Sequence, residues 1–186
     1  GKNVNKRVIE KILHKLHMKV KIQIGGGIRN INDIDFWIKN SVNRVILGTL
    51  ALENPSFINQ LGQEYFKKIV VGADVRNGMI ASHGWKKQSD IIAADLIKGL
   101  NSSIVSSVIY TDITKDGSLK GVSLEQTVNF AKLIPHSVIA SGGVSSLNDI
   151  AKLAKEFSKG VQGVIVGRAL YCLLYTSPSP RDLRKS

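Results

Sequence analysis

Two carboxylates and a hydroxyl stand where apolar stretches of this chain run out. Asp74 ends the run I-V-V-G-A-D, Thr111 ends V-S-S-V-I-Y-T, and Asp116 follows in T-D-I-T-K-D-G. A carboxyl at the end of a buried strand is partly desolvated, which raises its pKa and suits it to general acid work. Asp74 is thus a candidate proton donor, although the same position also suits a loop cap or an ion-pair partner of Arg76. Thr111 can hydrogen-bond a substrate hydroxyl. Asp116, just before Gly117, reads either as a second acid or as a turn-former. Asp112 alternates with Thr111 along the strand, so its side chain points to the opposite face and reads as structural.

Around these groups lie glycines in a duplicated arrangement. Residues 26–34 (G-G-I-R-N-I-N-D-I) match residues 142–150 (G-G-V-S-S-L-N-D-I) position for position, at an offset of 116. Val45-Ile46-Leu47-Gly48-Thr49 matches Val164-Ile165-Val166-Gly167-Arg168 at an offset of 119. A strand that ends in glycine lets backbone N–H groups approach a ligand closely, and such ends cradle phosphates. Gly26, Gly27, Gly48 and Thr49 form one candidate grip, and Ser141, Gly142, Gly143, Gly167 and Arg168 form the other. Two grips imply a substrate with a phosphate at each end. Arg29, just past the first glycines, can clamp an anion bidentately. Trp85 can stack on a planar ligand or simply pack in its loop. His14, His17, His83 and His136 show no metal-ligand spacing, and neither a nucleophile elbow nor a phosphate-binding P-loop occurs.

The elements that must position these groups follow from periodicity and caps. Apolar residues at 4, 8, 9, 12, 13 and 16 predict a helix over 4–16. A strand at 20–24 and a helix capped by Asn30 or Asn32 and running to Asn40 come next, then a strand at 44–47. Asn54-Pro55 opens a helix to about Tyr65. A strand over 68–73 leads to the tight turn Asn77-Gly78 and an extended piece at 79–82. Ser89 is read as the cap of a helix to Leu100. Then come a strand at 105–111, a helix from Ser123 to Leu133, a strand at 137–141, a helix at 148–157 and a strand at 163–166. Six strands alternating with helices make an α/β chain with a parallel sheet. The half-repeat favours a (β/α)8 TIM barrel, here about six βα units corresponding to strands 3 to 8. The first two units, about 60 residues, are then missing. The barrel domain is assigned to 1–171. Residues 172–186 lose all helical period, carry two prolines within three residues and resemble a translated sequencing adapter, so they are set apart as a non-native or disordered tail.

The chain has 186 residues, 43% hydrophobic and 22% charged, which suffices for one soluble domain with a core. No run of apolar residues reaches the length of a membrane span. The single cysteine, Cys172, excludes a disulfide framework and fits a cytoplasmic protein. The net charge of +12 comes from dispersed lysines without an arginine-rich helix or an aromatic platform. That pattern favours a small phosphorylated ligand over nucleic acid, and no membrane partner is expected.

Taken together, I-Q-I-G-G-G-I-R, V-I-L-G-T, V-V-G-A-D-V-R-N-G with the later H-G-W, Y-T-D-I-T-K-D-G-S-L-K-G, I-A-S-G-G-V-S-S-L-N-D-I and G-V-I-V-G-R-A-L-Y resemble the phosphoribosylformimino-5-aminoimidazole carboxamide ribotide isomerases of histidine biosynthesis. The sister cyclase shares the glycine strands, but D-V-R-x-G with G-W and T-D-I-x-x-D-G favour the isomerase. The resemblance implies a TIM barrel, monomeric at full length, that converts a bisphosphorylated aminoaldose into an aminoketose by an Amadori rearrangement without metal or organic cofactor. It implies Asp74 as proton donor, Asp116 as the alternative acid and Thr111 as a supporting hydrogen bonder. The family's general base, an aspartate on the first barrel strand, has no counterpart here, so the 186 residues alone are expected to be inactive. Two alternatives stand beside this reading: a bifunctional isomerase that also acts on phosphoribosyl anthranilate, and a non-catalytic module binding phosphate or nucleic acid.

Overall fold

The computed structural model describes residues 5–16, 19–82, 87–119 and 121–171. Trp85, a candidate for stacking on the ligand, and the tail at 172–186 lie outside the described residues.

Six parallel strands form one sheet: β1 (Gln23–Gly25), β2 (Arg44–Leu47), β3 (Ile69–Arg76), β6 (Val105–Asp112), β7 (Val138–Ser141) and β8 (Val161–Val164), paired in that order. The sheet curls into a half-barrel with β1 and β8 at its two ends, the expected partial (β/α)8 architecture. Alternation along the strands divides it into two faces. Val45, Leu47, Ile69, Val71, Ala73, Val75, Val108, Tyr110, Val138 and Ala140 point outward and join the buried core under the helices. Ile46, Gly72, Asp74, Ile109, Thr111 and Ser141 point inward and line an open cavity. Since parallel strands place equivalent residues at one level, register alone decides which inward groups meet.

The helical layer is α1 (Lys6–Leu16), α2 (Ile31–Lys39), α3 (Thr49–Glu53), α4 (Pro55–Asn59), α5 (Ala93–Lys98), α6 (Leu124–Leu133), α7 (Leu147–Ala154) and α8 (Arg168–Tyr171). α2 buries Ile34 and Trp37, one turn apart, against the sheet. Asn30 caps it, accepting from the Asp33 amide at 3.0 Å. Tyr65 ties α2 to the following layer by donating to Asp35 at 2.6 Å. Burial, and then the hydrogen bond to Asp35, pushes the Tyr65 phenol up to about 12.

Three expectations change. The helix expected from Asn54 to about Tyr65 stops early: α4 ends at Asn59 and a single 3-10 turn follows at Gln63–Tyr65. A further short helix, α3, precedes α4, Asn54 ending α3 and capping α4 with its side chain accepting from the Phe57 amide. Ser89 does not cap a helix. It lies in β5 (Lys87–Ile92), which extends β4 (Met79–Ser82) antiparallel, and its hydroxyl donates to the Ile80 carbonyl at 3.1 Å. The Asn77–Gly78 turn joins β3 to β4 as expected, both residues having positive φ, 52° and 79°. Ser123 stands at the start of α6, but its hydroxyl goes to Asp112 instead of the helix.

At the opposite end of the sheet from the candidate site, His136 precedes β7 and is 5% exposed. Neither ring nitrogen finds a hydrogen-bond partner among the described residues. Burial, followed by the charge of Lys67, lowers its pKa below the usual 6.5, and an approach to the Leu100 backbone offsets part of this. The folded state therefore favours neutral imidazole. Stability from this site is present above the unfolded pKa and is lost as pH falls through the lowered folded value. Urea midpoints measured from pH 7 down to 5 should fall for the wild type, and should fall less for His136→Leu.

Candidate functional site at the strand ends

Asp74 on β3 pairs with Thr111 on β6, and Thr111 pairs with Ser141 on β7. These three inward side chains occupy one level at the carboxyl ends of three adjacent strands. They border a cavity of about 870 Å³ that reaches across the half-barrel mouth to Gly26, Gly27, Arg29, Gly48 and Thr49. Asp74 is half-buried, and Thr111 is 9% exposed. The register thus gathers the predicted donor, its hydrogen-bonding neighbour and the whole first glycine grip around one space.

Asp116 is placed elsewhere. It is exposed and borders a second cavity of about 230 Å³, together with Gly142, Gly143, Gly167 and Arg168. Ser141 and Ile165 border both cavities and so lie between the two grips. Of the two candidate acids, only Asp74 shares the larger cavity with Thr111.

The sequence repeat is a repeat of backbone geometry. Gly26 and Gly27 have φ of 92° and 74°; Gly142 and Gly143 have 92° and 79°. Asp33 accepts from the Arg29 amide at 3.0 Å, and its equivalent Asp149 accepts from the Ser145 amide at 2.9 Å. Ser146 and Asp149 complete a reciprocal capping box on α7. Burial works against the charge on Asp149, but hydrogen bonds from Ser145 and Ser146 outweigh it and hold the carboxyl below its ordinary value. In each half the aspartate fixes the turn that follows the glycines.

The grips differ in what covers them. Gly26 and Gly27 are exposed, and a Cβ placed on Gly26 would meet nothing within 4 Å. Gly142 and Gly143 are buried, and a Cβ on Gly143 would lie 2.4 Å from the Gly121 carbonyl oxygen. The covering stretch is the loop after β6, bonded from the Gly121 amide to the Gly143 carbonyl at 3.0 Å.

Asp112 anchors that loop and points away from the cavity, as alternation requires. It accepts from the Ser123 hydroxyl and from the Thr114 hydroxyl and amide, the latter two at 2.6 and 2.9 Å. Burial raises its pKa, but these bonds and nearby Lys115 win, leaving it below 3.8. A carboxyl depressed in the folded state contributes stability above its unfolded pKa and loses it as pH falls through the folded value. Asp112→Asn should accordingly cost about 1–3 kcal/mol at neutral pH. In urea unfolding at pH 3 the difference from wild type should shrink.

Glu53 and Leu50 on α3 and Gly72 on β3 also border the larger cavity, and the sequence reading did not single them out. Gly72 was accessible to it, since it stands two residues before Asp74 and so on the same face. Glu53 had no such signal, because α3 was not anticipated. Among the described residues no group of three His, Cys, Asp or Glu side chains is placed to hold a metal ion.

Comparison with known proteins places the chain in a family. Residues 1–176 match the family described as "Histidine biosynthesis protein". A relative from Xanthobacter autotrophicus is 44% identical over 171 residues, covering 92% of this chain and 69% of that protein. One from Azospirillum brasilense is 45% identical over 171 residues (92% and 66%), and one from Bacillus subtilis is 44% identical over 176 residues (95% and 71%). Each is named an imidazole-4-carboxamide isomerase, and the compound in the name carries two phosphoribosyl groups. The chain spans about two-thirds of the length of these relatives. With the half-barrel, the repeated glycine turns and these matches in hand, the chain belongs to the histidine biosynthesis protein family.

Proposed function

We propose that this chain is the larger part of an isomerase that converts the bisphosphorylated aminoaldose of histidine biosynthesis into its aminoketose. The observation that carries the proposal is the placement of Asp74 beside Thr111 in a cavity open to one glycine grip and bounded by Ser141, next to the other. Relatives whose named compound has two phosphoribosyl groups support the two-phosphate reading. No helix among the described residues is long and apolar enough to cross a membrane.

In this reading each phosphate takes backbone N–H donors from a glycine turn, at Gly26–Gly27 and at Gly142–Gly143. The ribosylamine end then lies over Asp74 and Thr111. Asp74 protonates the ring oxygen as the C1′–O bond breaks, leaving an iminium at C1′. A base removes the C2′ proton, the electrons move into the C1′–C2′ bond, and the resulting enolamine tautomerises to the aminoketose. Thr111 hydrogen-bonds a substrate hydroxyl and holds the sugar against Asp74. Besides Asp74, the carboxylate bordering the cavity among the described residues is Glu53, which stands at the phosphate rim. The base is assigned by resemblance to the family's first-strand aspartate, so the 186-residue polypeptide should bind substrate without turning it over.

An assay of the Amadori rearrangement tests this, comparing the 186 residues with a chain extended by about 60 residues that supply two further βα units. The extended chain should be active and the shorter one not. Turnover by the shorter chain would remove the first-strand base from the account, and inactivity of both would remove the isomerase reading. Offering phosphoribosyl anthranilate to the active form separates a single-substrate enzyme from a bifunctional one.

A further inference from the structure

The two glycine grips share a backbone, yet among the described residues only the second is covered, and one side chain ties its cover down. Arg168 donates from Nη1 to the Gly117 carbonyl, joining the start of α8 to the loop after β6 across 51 residues of chain. The contact involves the stem as well as the head: a Cβ on Gly117 would stand 3.5 Å from Arg168 Nη1 and 3.7 Å from its Cδ. From Gly117 the loop is held through the Ser118 amide and hydroxyl, both donating to the Lys115 carbonyl at 3.0 and 2.6 Å. It then reaches Gly121, whose amide bonds Gly143. Between them Leu119 has φ of 55°, a left-handed conformation that a bulky residue keeps only where its surroundings impose it.

Among the described residues the first half of the molecule lacks this device. The repeat aligns Gly167-Arg168 with Gly48-Thr49. Threonine has no guanidinium and too short a stem to bridge loops, and over Gly26 there is nothing within 4 Å to be held. The arginine occurs in the half that has a cover.

We propose that Arg168 is a positioning residue for the second grip: it holds the Asp116–Leu119 stretch over Gly142–Gly143 through Gly117, and does not itself grip the phosphate. This rests on the phosphate reading for its ligand but not for the loop it orders. A guanidinium presents several donors in a fixed plane and can hold a carbonyl in a defined direction. Asp116 and Leu119 thereby keep their places at the rim of the second cavity.

The test is amide hydrogen exchange, read by NMR on the 186-residue chain without ligand, for wild type, Arg168→Met and Arg168→Lys, followed by titration with inorganic phosphate. Arg168 is exposed, so neither variant should unfold the chain. Arg168→Met, which keeps much of the stem but no donor, should speed exchange at the Gly121 amide by about 10-fold, and Arg168→Lys should restore part of the protection. Phosphate should then shift the Gly142 and Gly143 amides several-fold less readily in Arg168→Met, with Gly26 and Gly27 unaffected. Unchanged Gly121 exchange in Arg168→Met overturns the proposal, and a phosphate defect beside that result marks Arg168 as a direct ligand. If phosphate moves neither grip in the wild type, the phosphate reading fails, while the Gly121 rates still decide the loop.

Discussion

Asp74→Asn in the extended, active chain is expected to lower kcat by about 10²–10⁴-fold, the usual contribution of a positioned general acid. KM should change little, because asparagine keeps the shape of the side chain and the phosphate grips are untouched. Asp116→Asn should cost less than about 10-fold, since Asp116 is exposed and borders the smaller cavity, away from Thr111. The reason for the difference is register. β3 and β6 place Asp74 and Thr111 side by side, whereas Asp116 lies beyond the end of β6 in the loop over the second grip. Steady-state kinetics of the two variants decide the matter, and equal losses would mean that both carboxylates reach the reacting atoms. A loss confined to Asp116→Asn would move the acid to the second cavity.

The second large effect concerns two glycines with the same conformation and different surroundings. Gly26→Ala pays for a left-handed alanine and meets no neighbour within 4 Å, so it should cost about 1–2 kcal/mol. Gly143→Ala has the same backbone cost, and its methyl also falls 2.4 Å from the Gly121 oxygen and 3.1 Å from the Lys115 Cβ. Relieving that contact displaces the loop after β6, and the two terms together should reach about 3–5 kcal/mol. Urea unfolding of both variants measures the difference. Against a total stability of about 5–15 kcal/mol, Gly143→Ala should leave a markedly weakened fold, and equal losses at the two positions would show that the cover yields freely.

The inward row of the site was legible in the sequence because a strand has a period of two. Once the strands ending at Asp74 and Thr111 were located, alternation placed Asp112 on the other face, where it bonds Ser123 and Thr114. The glycine repeat was legible because it recurs in type and spacing, and its aspartates, Asp33 and Asp149, carry the same bond to the backbone. The hairpin extension β4–β5 was only half visible. Asn77-Gly78 marks its first turn, but Lys87–Ile92 has too little apolar alternation to announce a strand, so Ser89 looked like a helix cap. The short α3 was hidden because Asn54 ends it as it opens α4, and α4 falls short of Tyr65 because the chain is extended at Gly62. The unequal covering of the two grips was out of reach. It depends on Gly121 meeting Gly143 and on Arg168 meeting Gly117, contacts between parts of the chain distant in sequence.

The central claim is that the two glycine turns grip the two ends of one molecule. Titrating the bisphosphorylated aminoketose into the 186-residue chain while following amide resonances tests it most directly. Gly26, Gly27, Gly142 and Gly143 should shift together along one isotherm that saturates at one equivalent. Shifts at a single grip, or separate isotherms summing to two equivalents, would contradict it.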